Sequence, residues 1–246
     1  LFSMTERRWS QLRPTPGDAR DGLPSARALH RLATFTPPNY THPLVLMFGG
    51  RLAAGAKDTH ETWVLEILNN TGHLTTDRLD AKWYLVPRTD IQPSPRTGHA
   101  MSNLGRDSVV LFGGYDSDEK AVLGDTWVFV GDKPTTAHWH HIAYGAATSK
   151  ASDIISDVYV PPSRRFASFA SFDAETALLY GGTSETEWET NEYSPFSDAS
   201  TWHLSRNTAD SSVPPEKRYT WRRIVPFQVR SASVVFCKTA QRLCSS

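Results

Sequence analysis

One pattern of four short apolar runs, separated by turn residues, recurs along this chain and constrains its fold more than any other feature. Its clearest copy spans residues 93–142, PSPRTGHAMSNLGRDSVVLFGGYDSDEKAVLGDTWVFVGDKPTTAHWHHI. The runs TGHAMSNL, SVVLF, DTWVFV and WHHI are broken by Gly, Asp or Pro, and none shows a 3.6-residue period. The unit therefore predicts a four-stranded antiparallel meander. A copy lies upstream, where SARALHRLATF is followed by LVLMFGG, ETWVLEI and KWYLV. Another lies downstream, where SRRFASFASF is followed by ALLYGG, STWHLS and TWRRI.

The anchors of these copies align one by one. Arg27, Arg96, Arg165 and Arg230 open the first run of each unit, and Gly49-Gly50, Gly113-Gly114 and Gly181-Gly182 close the second. Trp63, Trp127 and Trp202, each preceded by Thr, begin the third. Trp9, Trp83, Trp139 and Trp221 begin the fourth, with Leu12, Val86, Ile142 and Ile224 three residues on. Runs such as VVLF and LVLMF are apolar at consecutive positions, so both faces of the strand need cover. The glycine pairs predict a sharp backbone turn with at least one residue at positive φ.

An Arg-opened strand, an apolar strand ending in Gly-Gly, an aromatic strand and a Trp strand resemble the kelch repeat. The resemblance implies an all-β fold, a kelch-type β-propeller whose four-stranded antiparallel blades each correspond to one repeat. On that reading, residues 1–246 form one propeller domain, with three full blades at 25–86, 94–142 and 163–225. Residues 1–14 supply the last strands of a preceding blade and 226–246 the first strands of a following one. Either these halves complete one blade of a four-bladed ring, or both belong to a larger ring, the arrangement expected here. The fourth-strand Trp83, Trp139 and Trp221 are expected to be buried against their blades. Arg-to-Arg spacings of about 65–70 residues exceed the roughly 50 of a plain kelch repeat, and the surplus falls in loops. The segment RPTPGDARDGLP reads as a crossing between blades.

Charge is balanced, with 26 basic and 26 acidic residues, so no global field argues for nucleic acid or an anionic membrane. No apolar run reaches the length of a membrane span. Cys237 and Cys244 bracket a predicted turn, and two buried thiols are expected in preference to a disulfide. The sequons at Asn39 and Asn69 point outside the cell; the compartment stays open, with the cytoplasm as default.

The chain lacks a Gly-rich phosphate loop, CxxC and HExxH, and neither cysteine falls where a copper radical site needs one. His138 and His140 share one side of a strand, but two ligands do not make a closed zinc site. His30 and His99 occupy equivalent first-strand positions, with Ser168 and Ser233 in the other two copies. The repeated Arg reads as architectural, bonding carbonyls or a carboxylate of the adjoining blade. No catalytic residue, metal or cofactor is therefore expected. The expected role is a protein–protein interaction module or scaffold, alone or within a larger complex, with a structural subunit as the alternative and a metal-dependent enzyme behind both. The expected contact is the loop at 183–200, where Glu185, Glu187, Glu189, Glu192 and Asp198 surround Trp188, Tyr193 and Phe196 with no basic residue. Aromatics in an acidic surround suit a protein partner with exposed Lys or Arg.

Overall fold

The structure is a computed structural model of the chain. It describes residues 2–4, 7–9, 11–18, 22–53, 57–68, 80–142, 160–184, 201–208, 212–214 and 217–224. Among these the regular elements are strands, and no α-helix occurs. In chain order they are β1 (Phe2–Ser3), β2 (Arg8–Trp9), β3 (Arg13–Pro16), β4 (Arg27–Ala28), β5 (Arg31–Phe35), β6 (Leu44–Phe48), β7 (Arg51–Leu52), β8 (Thr62–Leu68) and β9 (Asp80–Leu85). They continue with β10 (Ala100–Leu104), β11 (Ser108–Asp116), β12 (Ala121–Val130), β13 (His138–His141), β14 (Ser168–Ser171), β15 (Thr176–Tyr180), β16 (Thr201–Arg206) and β17 (Tyr219–Ile224).

Three meanders dominate. The first sheet has the order β3-β9-β8-β6-β5, the second β10-β11-β12-β13 and the third β14-β15-β16-β17. Apart from β3, consecutive strands in each pair antiparallel. β1 and β2 form a separate antiparallel pair, with Phe2 opposite Trp9. The stretch read as a crossing contains β3, which adds a fifth strand parallel to β9, with Arg13 opposite Asp80 and Pro16 opposite Trp83. Two prolines fit there because the strand sits on a sheet edge, where a missing N–H costs no ladder bond. In the second sheet, β11 and β12 run on past the glycine pair as one long hairpin, with a bulge between Phe112 and Gly114.

The first strands β5, β10 and β14 lie side by side, and the sheets pack face to face through two cores. One core joins Phe35, Leu44, Leu46, Phe48 and Val64 of the first sheet to Met101, Leu111, Phe129 and Trp139 of the second. The other joins Val110, Phe112, Val128 and Ile142 of the second to Leu179, Trp202, Leu204 and Trp221 of the third. β11 is consequently buried on both faces, which is why its sequence is apolar without alternation.

The same bonds hold both interfaces. The Trp139 indole N–H donates to Thr62 Oγ1 of the preceding sheet at 2.9 Å, and the Trp221 indole to Thr126 Oγ1 at 3.0 Å. In the first and second sheets the Thr before the third-strand Trp is thus the acceptor for the next sheet's outer Trp. Gly50 N donates to the Arg96 carbonyl and Gly114 N to the Arg164 carbonyl. A further chain runs from Phe166 N to the Gly98 carbonyl and from Gly98 N to the Leu29 carbonyl. Leu29, Gly98 and Phe166 all adopt left-handed φ, at 59°, 61° and 61°. Only the middle one is the glycine that this conformation favours, and a Cβ there would meet the Phe166 ring at 2.6 Å. Gly113 and Gly114 both have positive φ, and a Cβ on Gly113 would lie 2.4 Å from the Arg164 carbonyl oxygen. The close approach of neighbouring backbones is what the glycine pair permits.

Trp139 and Trp221 are buried, at 3% and 0% exposure. Trp83 is only half-buried, against the expectation, because no described indole acceptor of an earlier sheet stands before it.

Candidate functional site

The sheets share one end at which first strands begin and second strands hand over to third strands. Three arginines organise it. Arg96 Nε donates to the Ser94 carbonyl and Nη1 to the Gly113 carbonyl, while Nη1 and Nη2 grip Asp125 at 2.6 and 2.9 Å. Arg27 repeats this with Ser25, Gly49 and Glu61. The third member is Arg164, which donates to the Pro162 and Gly181 carbonyls, so the assignment of Arg165 to this role was displaced by one residue. The carboxylate also belongs to the arginine's own sheet, not to an adjoining one. Each acid accepts a second bond from the third-strand Trp two residues on, Glu61 from Trp63 and Asp125 from Trp127. Burial alone would push the Asp125 carboxyl up, but the bonds and charge of Arg96 and the Trp127 indole hold it below the ordinary carboxylate value. The same balance holds Glu61 down through Trp63 and Arg27. Arg27 and Arg96 are neutralised structural members, each paired with its own carboxylate.

Arg165 is different. Its equivalents are Ala28 and Thr97, since Thr97 bridges Tyr115 as Arg165 bridges Thr183 and Ala28 faces Arg51. It is 4% exposed, and its guanidinium lies 5.1 Å from the Tyr115 ring centroid and 5.3 Å from that of Phe166. Nε and Nη2 are buried with no hydrogen-bond partner. Sequence reasoning missed this residue as distinct because it assigned the doublet Arg164-Arg165 to a single architectural position. Arg96 and Arg164 each stand 17 residues before the glycine carbonyl they bond, but Arg27 stands 22 before its own, so spacing does not single out Arg164.

The same shift moves the histidine series. Ala100 faces Phe112 and Ser168 faces Tyr180, so the third-sheet equivalent of His30 and His99 is Ala167, not Ser168. His99 is fully buried, edge-on to Phe48 at 5.4 Å, and neither ring nitrogen has a partner. Burial above all, then the charges of Arg96, Arg31 and His30, keep its imidazole well below the ordinary 6.5. It is a neutral core aromatic at the working pH, not a proton-transfer group.

His138 and His140 do share one side of β13, with ring centroids 4.6 Å apart, beside a groove of about 690 Å³ lined also by Thr89, Asp90 and Ile91. Among the described residues, no group of three or more His, Cys, Asp or Glu is placed to hold a metal ion. Asn39 sits exposed in a turn, with Tyr40 N bonded to the Pro37 carbonyl. Asn69, Arg230, Ser233, Cys237 and Cys244 lie outside the described residues. So do the expected contact residues Glu185, Glu187, Trp188, Glu189, Glu192, Tyr193 and Phe196; of that loop the structure describes Thr183 and Ser184. Thr183 is buried and exchanges backbone bonds with Arg165 at 2.9 and 3.0 Å, which fixes the root of the loop at the Arg165 end of the sheets.

No family model matches the chain. An F-box/kelch-repeat protein of Arabidopsis thaliana is 33% identical over 88 residues, a stretch amounting to 34% of this chain and 16% of that relative's length. Among solved structures, a chain from a cryo-EM structure of RAG in complex with one melted and one unmelted RSS is similar at a TM-score of 0.43 and 12% identity. That match covers 87% of this chain and 70% of the other, and at such a score it carries no argument.

Proposed function

We propose that the chain is part of a kelch-type propeller, its three meanders acting as blades, and that it serves as a non-catalytic protein-interaction module. The observation that carries this reading is the repeated interface. Two successive junctions use the same indole-to-Thr, Gly-to-Arg-carbonyl and backbone bonds. Such a scaffold is rigid where it repeats and free to vary in its loops, which is where binding surfaces are built. The stretch similar to a kelch-repeat protein supports the same reading.

The partner contact on this reading is the loop at 183–200, its root held by the Thr183–Arg165 bridge. Trp188, Tyr193 and Phe196 supply the anchors, and Glu185, Glu187, Glu189 and Glu192 steer a partner with a basic surface. The test is quantitative affinity capture with the wild-type chain and a Trp188→Ala/Phe196→Ala variant. A partner rich in exposed Lys or Arg should be lost from the variant while its melting temperature stays within a degree or two. A collapse of the melting temperature instead would make the aromatics core residues and move the contact elsewhere.

A second reading, as a structural subunit, is favoured by one observation. Tyr180 and Ile224, equivalents of the fully covered Phe112 and Ile142, are 57% and 44% exposed on the outer face of the third sheet. A stable monomer on size exclusion speaks against an obligate subunit.

A further inference from the structure

The outer edge of the first sheet is covered by the chain's own β3, and among the described residues the same edge of the second sheet is bare. Residues Arg13, Pro14, Thr15 and Pro16 pair in parallel with Asp80, Ala81, Lys82 and Trp83, and Gly17 N donates to the Trp83 carbonyl at 2.6 Å. A strand presents its backbone groups to one neighbour on alternate residues, so Thr15 and Gly17 turn their N–H groups to β9 and both prolines turn their nitrogens away. Trp139 is the counterpart of Trp83, since Phe129 faces the one as Leu65 faces the other. Ile142 N donates inward to the Thr126 carbonyl, as Val86 N does to the Thr62 carbonyl. By the same alternation, the N–H and C=O groups of Trp139 and His141 point out of the sheet edge. β13 is the last strand of its sheet. Along it runs the groove of about 690 Å³, lined by all four residues of β13 and by Thr89, Asp90 and Ile91. That volume falls within the roughly 300–1,000 Å³ of ligand clefts.

We propose that the outer edge of β13 receives an extended, proline-alternated segment of a partner protein, which adds to the second sheet as a parallel strand in the way β3 adds to the first. The occupant's chemistry is read from β3. Donors on alternate residues meet the Trp139 carbonyl, and the prolines between them leave no row of N–H groups for yet another strand. Paired residues share a face, so the prolines fall on the side of Trp139 and His141 and the residues between them on the side of His138 and His140. Ile91, 63% exposed, is apolar surface for such a strand to cover. Arg13 stands opposite Asp80; the counterpart of Asp80 in the second sheet is Thr136, and the acid on the groove is Asp90. The segment leading into the first sheet supplies β3, whereas the one leading into the second lines the groove through Thr89, Asp90 and Ile91 without pairing to β13. The strand that fills this edge therefore comes from a partner. The inference goes beyond the loop contact at 183–200 and stands without it.

The experiment titrates the full chain with a labelled peptide LRPTPG, the sequence of residues 12–17, and with the same peptide N-methylated at its Thr and Gly, which keeps prolines and charge and removes two donors. Saturable binding of the first is expected, weakened at least tenfold by the methyl groups. Two variants, checked for folding by circular dichroism, should weaken it as much: His141→Pro, which deletes an outward N–H, and Ile91→Arg, which puts a like charge on the groove. If His141→Pro does not fold, Ile91→Arg decides. Hydrogen exchange at the His141 amide should be fast in the free chain and at least tenfold slower with peptide. The proposal is overturned if the wild-type chain shows no saturable binding, if the methylated peptide binds as well, or if the folded variants bind like wild type. A His141 amide already protected in the free chain would mean that the chain covers its own edge, and a dimer split by Ile91→Arg would make the occupant a second copy; either result overturns the partner assignment. Trp188→Ala/Phe196→Ala should bind the peptide unchanged, whatever becomes of the loop contact. Loss of the peptide in that variant would place it on the loop and sink the proposal.

Discussion

The second and third sheets are built on one plan and buried very differently. In the second, Ala100, Val110, Phe112, Val128 and Ile142 are covered by the third sheet, and Met101, Leu111, Phe129 and Trp139 pack against the first. In the third, Ala177, Leu179, Trp202, Leu204 and Trp221 are buried, but the opposite side of the sheet bears Ser168, Tyr180, His203, Arg222 and Ile224 in partly or fully exposed positions. The arginines differ in the same direction. Arg96 has all its work inside the sheet, two carbonyls and a carboxylate; Arg165 has none of these. A sheet closed on both sides spends its polar groups on itself. The one open on a side leaves Tyr180, Arg222 and Ile224 exposed, where the second sheet has covered or half-buried residues.

The comparison breaks most visibly by removing one arginine from each sheet. Arg96→Met leaves the half-buried Asp125 without its cation and should cost up to about 3–5 kcal/mol in urea denaturation. Arg165→Met removes a charge that no carboxylate among the described residues answers and should leave stability unchanged or raised. Equal losses would show that both arginines are structural. The outer tryptophans give the next largest contrast. Trp139→Ala empties a fully packed site and abandons the Thr62 bond, for about 3–5 kcal/mol, whereas half-buried Trp83 should cost under about 2 kcal/mol when changed to Ala.

Acid titration sharpens the account of the second sheet. His99 is neutral in the folded chain, while the unfolded chain binds its proton below 6.5, so stability should fall as pH drops below that value, by up to about 1.4 kcal/mol per pH unit. His99→Leu should flatten this limb in denaturant midpoints measured from pH 7 to 5. Asp125 and Glu61 act lower. Their folded values are depressed, so their contribution is full above the ordinary carboxylate range and is lost only as pH falls through and below it. The smallest effect belongs to Leu29, a non-glycine at φ 59° and 38% exposed. Leu29→Gly should raise stability by about 0.5–1 kcal/mol, unlike Phe166→Gly, which also removes a ring packed on Gly98.

Much of the fold was legible because the repeat makes each residue type testify several times. The run SVVLF predicted a strand buried on both faces, and β11 is one. The glycine pairs predicted positive φ, and all six residues have it. Three matters were not legible. The spacing Ser-x-Arg in Ser25-Ala26-Arg27 and Ser94-Pro95-Arg96 matched Ser163-Arg164-Arg165, so the pattern favoured the wrong arginine, and only the hydrogen bonds tell which one reaches Gly181. β3 was hidden because Pro and Gly read as loop when it cannot be seen that an edge strand is available to pair with. The carboxylates Glu61 and Asp125 carry no signal of their own until the bulge and the third strand bring them to the arginines.

Amide hydrogen exchange on the full chain tests the contrast between the sheets most directly. If the second sheet is covered on both faces and the third on one, amides of Val109–Phe112 and Thr126–Phe129 should be the slowest in the molecule. Those of Ser168–Ser171 and Thr176–Tyr180 should exchange at least tenfold faster. Equal protection of the two sheets, or slower exchange in the third, would contradict the account.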